Sequence, residues 1–595
     1  MKNKKEFWSV LFICALAVIL RILYLVLLKK YYLFYDTPGA DVLYYRQWAG
    51  NILWDSWIGQ EAFSGMPLFP YFLAMLGSLC LGNLLVIQFA HILLGIFNCH
   101  LLYKLVQRIF SAEVAVLSML LAAVNFSLIF YDWLMMPVTL LITISLIILI
   151  VLYNPQEFSC RRYWFILGII IALGILGDGK FLIFFVLLAG VIAMRNKKNL
   201  IPTTNKVLFP LALGVILILS LVTLRNRIVG GDWIFISSHS GLNFYIGNNP
   251  KANGTFQNPD FLRPDHTGHE QDQKIIAKKA LGKNLSNREV SAFWQRKALQ
   301  YIKEDPLDYV RLLGKKFWLF ITDNQWAYEM DMMLQKDWKD KFDFNPYRVV
   351  FAFAVLGIVL AVLYRRDTLY INLLIISQLI FTLTFFLIDR HRATTLPFLL
   401  MYQAYAFLWL YEQFRFKQWK KFFFGVGSVF LLFALFKGTP VNQQTLDFLQ
   451  LSKAGPILDE QKKYTKAQEL YLKALTIRPH DVNTLYNLAT SYTLDGRYAD
   501  AIKYYETALA LNPYDVNVRY NLAYTYEQMN QKEKALQEYQ HAIDLIPESF
   551  DAHFRVAEIY KSLGNCPEAI KHYSAIEKIK PAYSSQTQQF IQNCQ

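Results

Sequence analysis

Charge is scarce in this chain: 18% of its 595 residues are charged against a hydrophobic fraction of 55%, outside the usual range for a soluble globular protein. Cysteine is scarce too. Cys14, Cys80, Cys99, Cys160, Cys566 and Cys594 form no Cys-x-x-Cys spacing and no Cys/His cluster, which excludes a thiolate metal site or a dithiol redox centre. His266 and His269, with Asp265, Glu270 and Asp272 nearby, lie in a hydrophilic stretch where such spacing is common, so no metal is assigned. A small-residue cleavage site is also lacking after the apolar run Phe7–Leu28, which is too long for a signal-peptide core and reads as an anchoring helix.

Long apolar runs are abundant. A bilayer core about 30 Å thick needs roughly 20 apolar residues per helix. Runs near 7–28, 84–106, 112–130, 136–153, 164–176, 179–195, 206–224, 347–364, 369–388, 394–412 and 421–437 predict about eleven transmembrane helices in residues 1–437. From Thr439 onward the chain turns polar. Net charge divides at the same place, +17 for residues 1–437 and −2 for 438–595. A basic membrane domain reflects cytoplasmic loops and anionic headgroups, so membrane lipid is expected as a partner and nucleic acid is not.

Lys and Arg in short loops set orientation. With the N-terminus in the cytoplasm, Lys2, Lys4, Lys5, Lys104, Arg108, Arg161, Arg162, Arg195, Lys197, Lys198, Lys206, Arg365, Arg366, Arg415, Lys417, Lys420 and Lys421 all fall inside, while the short outer turns hold only Lys180, Arg390 and Arg392. Lys29 and Lys30 run against the pattern. Eleven spans then put the C-terminus outside the cytoplasm, with two long outer loops, 29–83 and 225–344.

Pro479, Pro513, Pro547 and Pro581 recur every 34 residues, preceded at constant offsets by Ala467, Ala501, Ala535 and Ala569 and by Tyr471, Tyr505, Tyr539 and Tyr573. A small residue where two helices approach and a large one filling the adjoining groove mark a tetratricopeptide solenoid. The predicted organisation is all-α: a membrane domain over 1–437, a linker over 438–447, and a repeat domain over 448–595 with four repeats at about 448–583. Such an array presents a surface to a protein partner, or serves as a rigid spacer or dimerisation module.

The first outer loop holds the clearest chemistry. Asp41 opens a helical pattern with Tyr44, Tyr45, Trp48 and Ala49, a carboxylate in a first helical turn beside aromatic rings. An acid there accepts a proton while rings stack on a sugar; equally, it caps an interfacial helix. Asp132 in Phe130-Tyr131-Asp132-Trp133-Leu134 reads as an outer turn opening the next helix, and Arg390 and Arg392 sit at a membrane boundary, where Arg suits either a phosphate or headgroup snorkelling.

Asp41, Tyr45, Ala49, Asp55-Ser56-Trp57 and Pro67-Leu68-Phe69-Pro70 together resemble the first outer loop of the C-type glycosyltransferases, in particular the superfamily of protein O-mannosyltransferases and the aminoarabinose transferase. Phe130–Leu134, the stretch Gly241–Phe256 and Asp389–Leu400 resemble further elements of that superfamily. Two departures stand out: Val42 replaces the second acid of an Asp-Glu pair, and Gly177-Asp178-Gly179-Lys180 stands where many relatives have Arg-Pro.

The resemblance implies a C-type glycosyltransferase that uses a polyprenyl-phosphate sugar and transfers with inversion. Asp41 would be the base, and Asp132, grouped with it in the catalytic site, would orient it or bind acceptor. Arg390, Arg392 and Lys180 would hold the donor phosphate. Tyr44, Tyr45, Trp48 and Asn243 would contact sugar or acceptor. The repeats suggest a protein acceptor. No cofactor is assigned; a divalent cation is compatible with the chemistry but nothing points to one. A bacterial cell membrane is favoured over the endoplasmic reticulum. A non-catalytic scaffold and a flippase for a lipid-linked glycan stand as alternatives.

Overall fold

A computed structural model describes residues 2–31, 40–154, 160–195, 203–259, 261–263, 266–322, 346–438, 443–580 and 583–592. Among them the regular elements are all helices, joined by one isolated parallel bridge between Thr255 and Leu387. The chain divides into two compact units: Met1–Gln257 with Ser286–Val441, and Asn258–Leu285 with Asn442–Gln595. Residues 258–285, expected in the outer loop of the membrane domain, therefore pack with the repeats. The Gln443–Glu460 helix also begins inside the stretch expected as linker.

In the first unit a helix occupies each apolar run. Lys4–Leu27, Leu84–Ile109 and Thr204–Gly230 are long and apolar enough to cross a bilayer, and Ala112–Val124 with Phe126–Trp133 makes a fourth such span if the pair, bent by 58°, counts as one. Asn125 causes that bend: it ends one helix, and its side chain accepts from the Leu128 amide to start the next. Other apolar helices are shorter, among them Val138–Leu152, Tyr347–Leu363 and Leu369–Thr384. The loop 29–83 contains a further apolar helix, Leu68–Leu79, whose 12 residues rise about 18 Å, too little to span. Hydropathy alone had placed no helix of this kind there.

The second unit contains the helix pairs of the repeat array, from Gln443–Glu460 and Tyr464–Ile477 through to Phe550–Ser562 and Cys566–Ile579. The periodic alanines and tyrosines are all fully buried. Each tyrosine keeps its hydroxyl bonded while its ring fills the groove, as Tyr471 does by donating to Asp459 at 2.9 Å and Tyr539 to Glu527 at 3.1 Å. Pro581 and Cys594 lie outside the described residues.

Candidate functional site

Asp41 sits in the first turn of the Ala40–Trp54 helix, where the helix dipole favours a carboxylate. Its Oδ2 accepts a hydrogen bond from Nη1 of Arg390, 349 positions away, in an ion pair with side-chain exposures of 37% and 21%. The pair therefore stays within reach of solvent. Val42, in the place of a second acid, points into the core at 2% exposure.

Arg390 is carried by the short Asp389–Ala393 helix, and this turn gathers most of the candidate cations. Lys180 is buried; its ammonium bonds the Thr394 hydroxyl and lies 3.6 Å from Asp178, while its own amide donates to Asp178 Oδ1 at 3.0 Å. Thr394 in turn donates to the His391 carbonyl at 2.8 Å. The Gly177–Lys180 element thus supplies an internal cation and its counter-ion to the turn. Arg392 differs from its neighbour. It is buried, donates to the Thr322 carbonyl at 2.9 Å, pairs with Asp389 and stacks 4.6 Å above the Tyr347 ring, which makes it a brace across the turn.

His391, between the two arginines, carried no signal of its own in the sequence. Burial pushes it down to about 4, with Arg390 and Lys180 acting in the same direction against Asp178, so the imidazole is neutral at ordinary pH. Its ring meets Phe381 edge-on at 5.4 Å.

The Gly241–Phe256 stretch explains how the turn is held. The Leu387 amide donates to the Gly254 carbonyl at 2.9 Å, and a Cβ on Gly247 would lie 2.0 Å from the Phe385 carbonyl oxygen, so the two backbones touch where only glycine fits. Asn248 donates to the Thr384 carbonyl at 2.8 Å. Fully buried Lys316 donates to Asn248 Oδ1 at 2.9 Å and to the Leu383 carbonyl at 3.0 Å; burial brings its ammonium down to about 7. Asn243 lies half-buried on the Ser240–Gly247 helix of the same buttress.

Beside Asp41, aromatic rings pack into a layer. Tyr44 lies 5.4 Å from both Tyr45 and Trp48, Tyr45 meets Phe69 edge-on at 5.3 Å, and Trp48 lies 5.6 Å from Phe63. The Tyr44 hydroxyl reaches Ser64 at 3.3 Å. The Arg225 guanidinium caps Phe63 at 3.8 Å and donates to the Glu61 carbonyl at 2.6 Å, tying the loop to the Phe209–Gly230 helix.

Asp132 stands apart. It lies in the last turn of Phe126–Trp133, buried, and not in an outer turn at the start of a helix. Arg21 donates to its Oδ2 from Nε at 2.9 Å and Nη2 at 2.7 Å, and Thr139 donates to its Oδ1 at 2.9 Å. His91 holds its carbonyl at 2.9 Å. A Cβ on Gly95 would fall 2.1 Å from the carboxylate, so a bare glycine admits it. The cavity beside it measures about 10 Å³, room for at most a water and none for a sugar ring. Asp272, in the hydrophilic stretch with His266 and His269, is likewise engaged by Arg263 at 2.8 Å.

Comparisons with known proteins find matches in both parts of the chain. Residues 64–236 match the family model described as dolichyl-phosphate-mannose-protein mannosyltransferase. Tetratricopeptide models match 452–513, 481–548 and 520–584. No curated protein matches the chain. Similar solved structures include a crystal structure of MamA protein, 25% identical, covering 25% of this chain and 80% of that one with a TM-score of 0.24. Another is MamA 41-end from Desulfovibrio magneticus RS-1, 23% identical, covering 23% of this chain and 76% of that one with a TM-score of 0.22. The chain thus joins an apolar, membrane-type helical domain, which over residues 64–236 is similar to the dolichyl-phosphate-mannose-protein mannosyltransferases, to a C-terminal tetratricopeptide array.

Proposed function

We propose that this protein transfers a sugar from a polyprenyl-phosphate donor to a hydroxyl of a protein acceptor on the outer face of a bacterial cell membrane. The observation that carries the reading is the Arg390–Asp41 pair: a base from the first outer loop and a phosphate-binding cation from the 389–393 turn, in contact and partly exposed. In the resting state the arginine pairs with Asp41. An incoming donor phosphate offers the guanidinium a second anion, and the bidentate fork suits it. Asp41, released from Arg390, is then free to take a proton.

The acceptor oxygen attacks the anomeric carbon as the bond from that carbon to the phosphate oxygen breaks. The acceptor proton passes to Asp41, and the leaving lipid phosphate carries the new negative charge into the field of Arg390. Lys180, neutralised by Asp178 and buried, supports the turn from behind, as does Arg392. Tyr44, Tyr45 and Trp48 offer the sugar a stacking surface, with Asn243 on the neighbouring buttress. Asp132 fits a structural part better than a catalytic one, since its carboxylate is engaged by Arg21 and Thr139.

Purified full-length protein incubated with polyprenyl-phosphate sugars and an outer-face protein extract tests this. Asp41→Asn should lower transfer about 10²- to 10⁴-fold, the usual contribution of a general base. Arg390→Ala should weaken donor use in both kcat and KM. Equal transfer by wild type and Asp41→Asn would remove the base, and no transfer from any donor would remove the enzymatic reading.

A further inference from the structure

Residues 258–285 leave the first unit and return to it, yet they fold against the repeats. Three side chains of the His266–Leu281 helix, Asp272, Ile275 and Lys279, fall three and four residues apart and so share one face. All three are engaged. Asp272 is 1% exposed and binds Arg263, whose amide and guanidinium donate to it at 2.8 to 3.2 Å. The same guanidinium donates to Asn517 Oδ1 at 3.0 Å. Ile275 is buried against Val516 and Ala542, beside Tyr514 and Leu545. The Lys279 ammonium stands 4.1 Å above the Tyr514 ring.

These partners belong to a single repeat, at the start of Val516–Gln528 and the end of Lys532–Leu545. The sequence marks that repeat: Tyr514 follows Pro513 where the neighbouring repeats carry His480 and Glu548. An aromatic at this position alone suits a cation laid over it.

We infer that segment 258–285 is a built-in docking element for the third repeat, and that loop segment and array fold as one discontinuous domain. A topological consequence follows. Two stretches joined by a hydrophobic cluster and by the Arg263–Asn517 hydrogen bond stand on one side of a bilayer, so the chain from Ser286 to Val441 crosses it an even number of times. The four apolar helices Tyr347–Leu363, Leu369–Thr384, Leu396–Arg415 and Trp419–Leu435 supply an even number. The array then shares the face of the 225–344 loop whatever the helix count nearer the N-terminus. This inference is independent of the donor chemistry.

The test uses the full chain in its membrane, with Cys566 and Cys594 replaced by serine and a protease site inserted after Lys437. Ile275→Cys with Ala542→Cys should cross-link, so that the cleaved fragments stay joined until reduced; adding Arg263→Ala should lower the joined fraction at least fivefold. Fragments that separate would overturn the docking. In case the buried pair disturbs folding, Lys278→Cys and Lys534→Cys at exposed positions are labelled singly with an impermeant maleimide. Reaction of both from the same side supports the inference, and reaction from opposite sides overturns it.

Discussion

At the residue scale, the Arg21–Asp132 pair is the most demanding contact in the membrane unit. Both side chains are almost fully buried, so removing one partner strands a charge in a low-dielectric interior, at a cost of about 3–5 kcal/mol, whereas an apolar pair of similar volume recovers much of it. Arg21→Met or Asp132→Leu alone should therefore cut the yield of folded protein sharply, and the double substitution should restore it, as read by size-exclusion profile and thermal unfolding in detergent. A catalytic Asp132 would instead leave folding intact and lose only activity. Asp515 provides a pH signature. It caps the Val516–Gln528 helix through the Asn517 and Val518 amides, and burial pushes its carboxyl up from 3.8 to about 6. The folded state then binds this proton more tightly than the unfolded one, so its contribution is present at acid pH and is lost as pH rises from about 4 to about 6. Asp515→Asn keeps the cap, and hydrogen exchange over 516–528 in the variant should lose its pH dependence in that window.

At the scale of elements, the proposed activity rests on the 383–395 turn, whose regular structure is the end of the Leu369–Thr384 helix and the five-residue Asp389–Ala393 helix. Its position comes from outside: the Gly241–Phe256 stretch lies along its backbone, Lys316 bonds the Leu383 carbonyl, and Lys180 bonds Thr394. Gly247→Ala would drive a Cβ to within 2.0 Å of the Phe385 oxygen and force the turn to shift. A displacement of about 1 Å at a reacting centre costs on the order of 10²-fold, so kcat/KM should fall by roughly that factor although residue 247 touches no substrate. Unchanged kinetics in a folded Gly247→Ala protein would mean that the turn is positioned by other contacts. The sequence showed the Gly241–Phe256 run and the Asp389–Arg392 run as separate features; nothing in their spacing says that one supports the other, because they meet across more than 130 residues of chain.

At the scale of the whole molecule, an array that captures the acceptor raises its effective concentration at the site. That gain, 10²- to 10⁴-fold for a tethered second contact, applies only to acceptors the repeats recognise. A chain in which a short Gly/Ser linker replaces residues 258–285 and which ends after Lys437, so that both parts of the repeat unit are removed together, should transfer to a small soluble hydroxyl acceptor about as well as the full protein, while transfer to the protein acceptor drops by that order; parallel assays of the two acceptors read the difference. Equal losses on both would assign the array a structural role. The membrane domain was legible as a series of apolar runs, because hydropathy is a local property. The exact set of spans was less so, since helices of 15 to 17 residues such as Val138–Leu152 and Tyr347–Leu363 rise only about 22–26 Å.

The sequence by itself determined the two physical regimes and the 34-residue repeat with its alanines and tyrosines, and offered Asp41, Asp132, Arg390, Arg392 and Lys180 together as candidates. Each follows from periodicity, composition or a short ordered motif, all of which are local. Only the tertiary structure decided that Asp41 and Arg390 meet, that Arg392 and Lys180 brace the turn from within the protein, that Asp132 answers Arg21, and that residues 258–285 belong with the repeats. The physical reason is common to all four. Each is a pairing of charges or surfaces far apart along the chain, which no local pattern records, and for the buried ones desolvation makes burial of either partner unfavourable until the fold supplies the other.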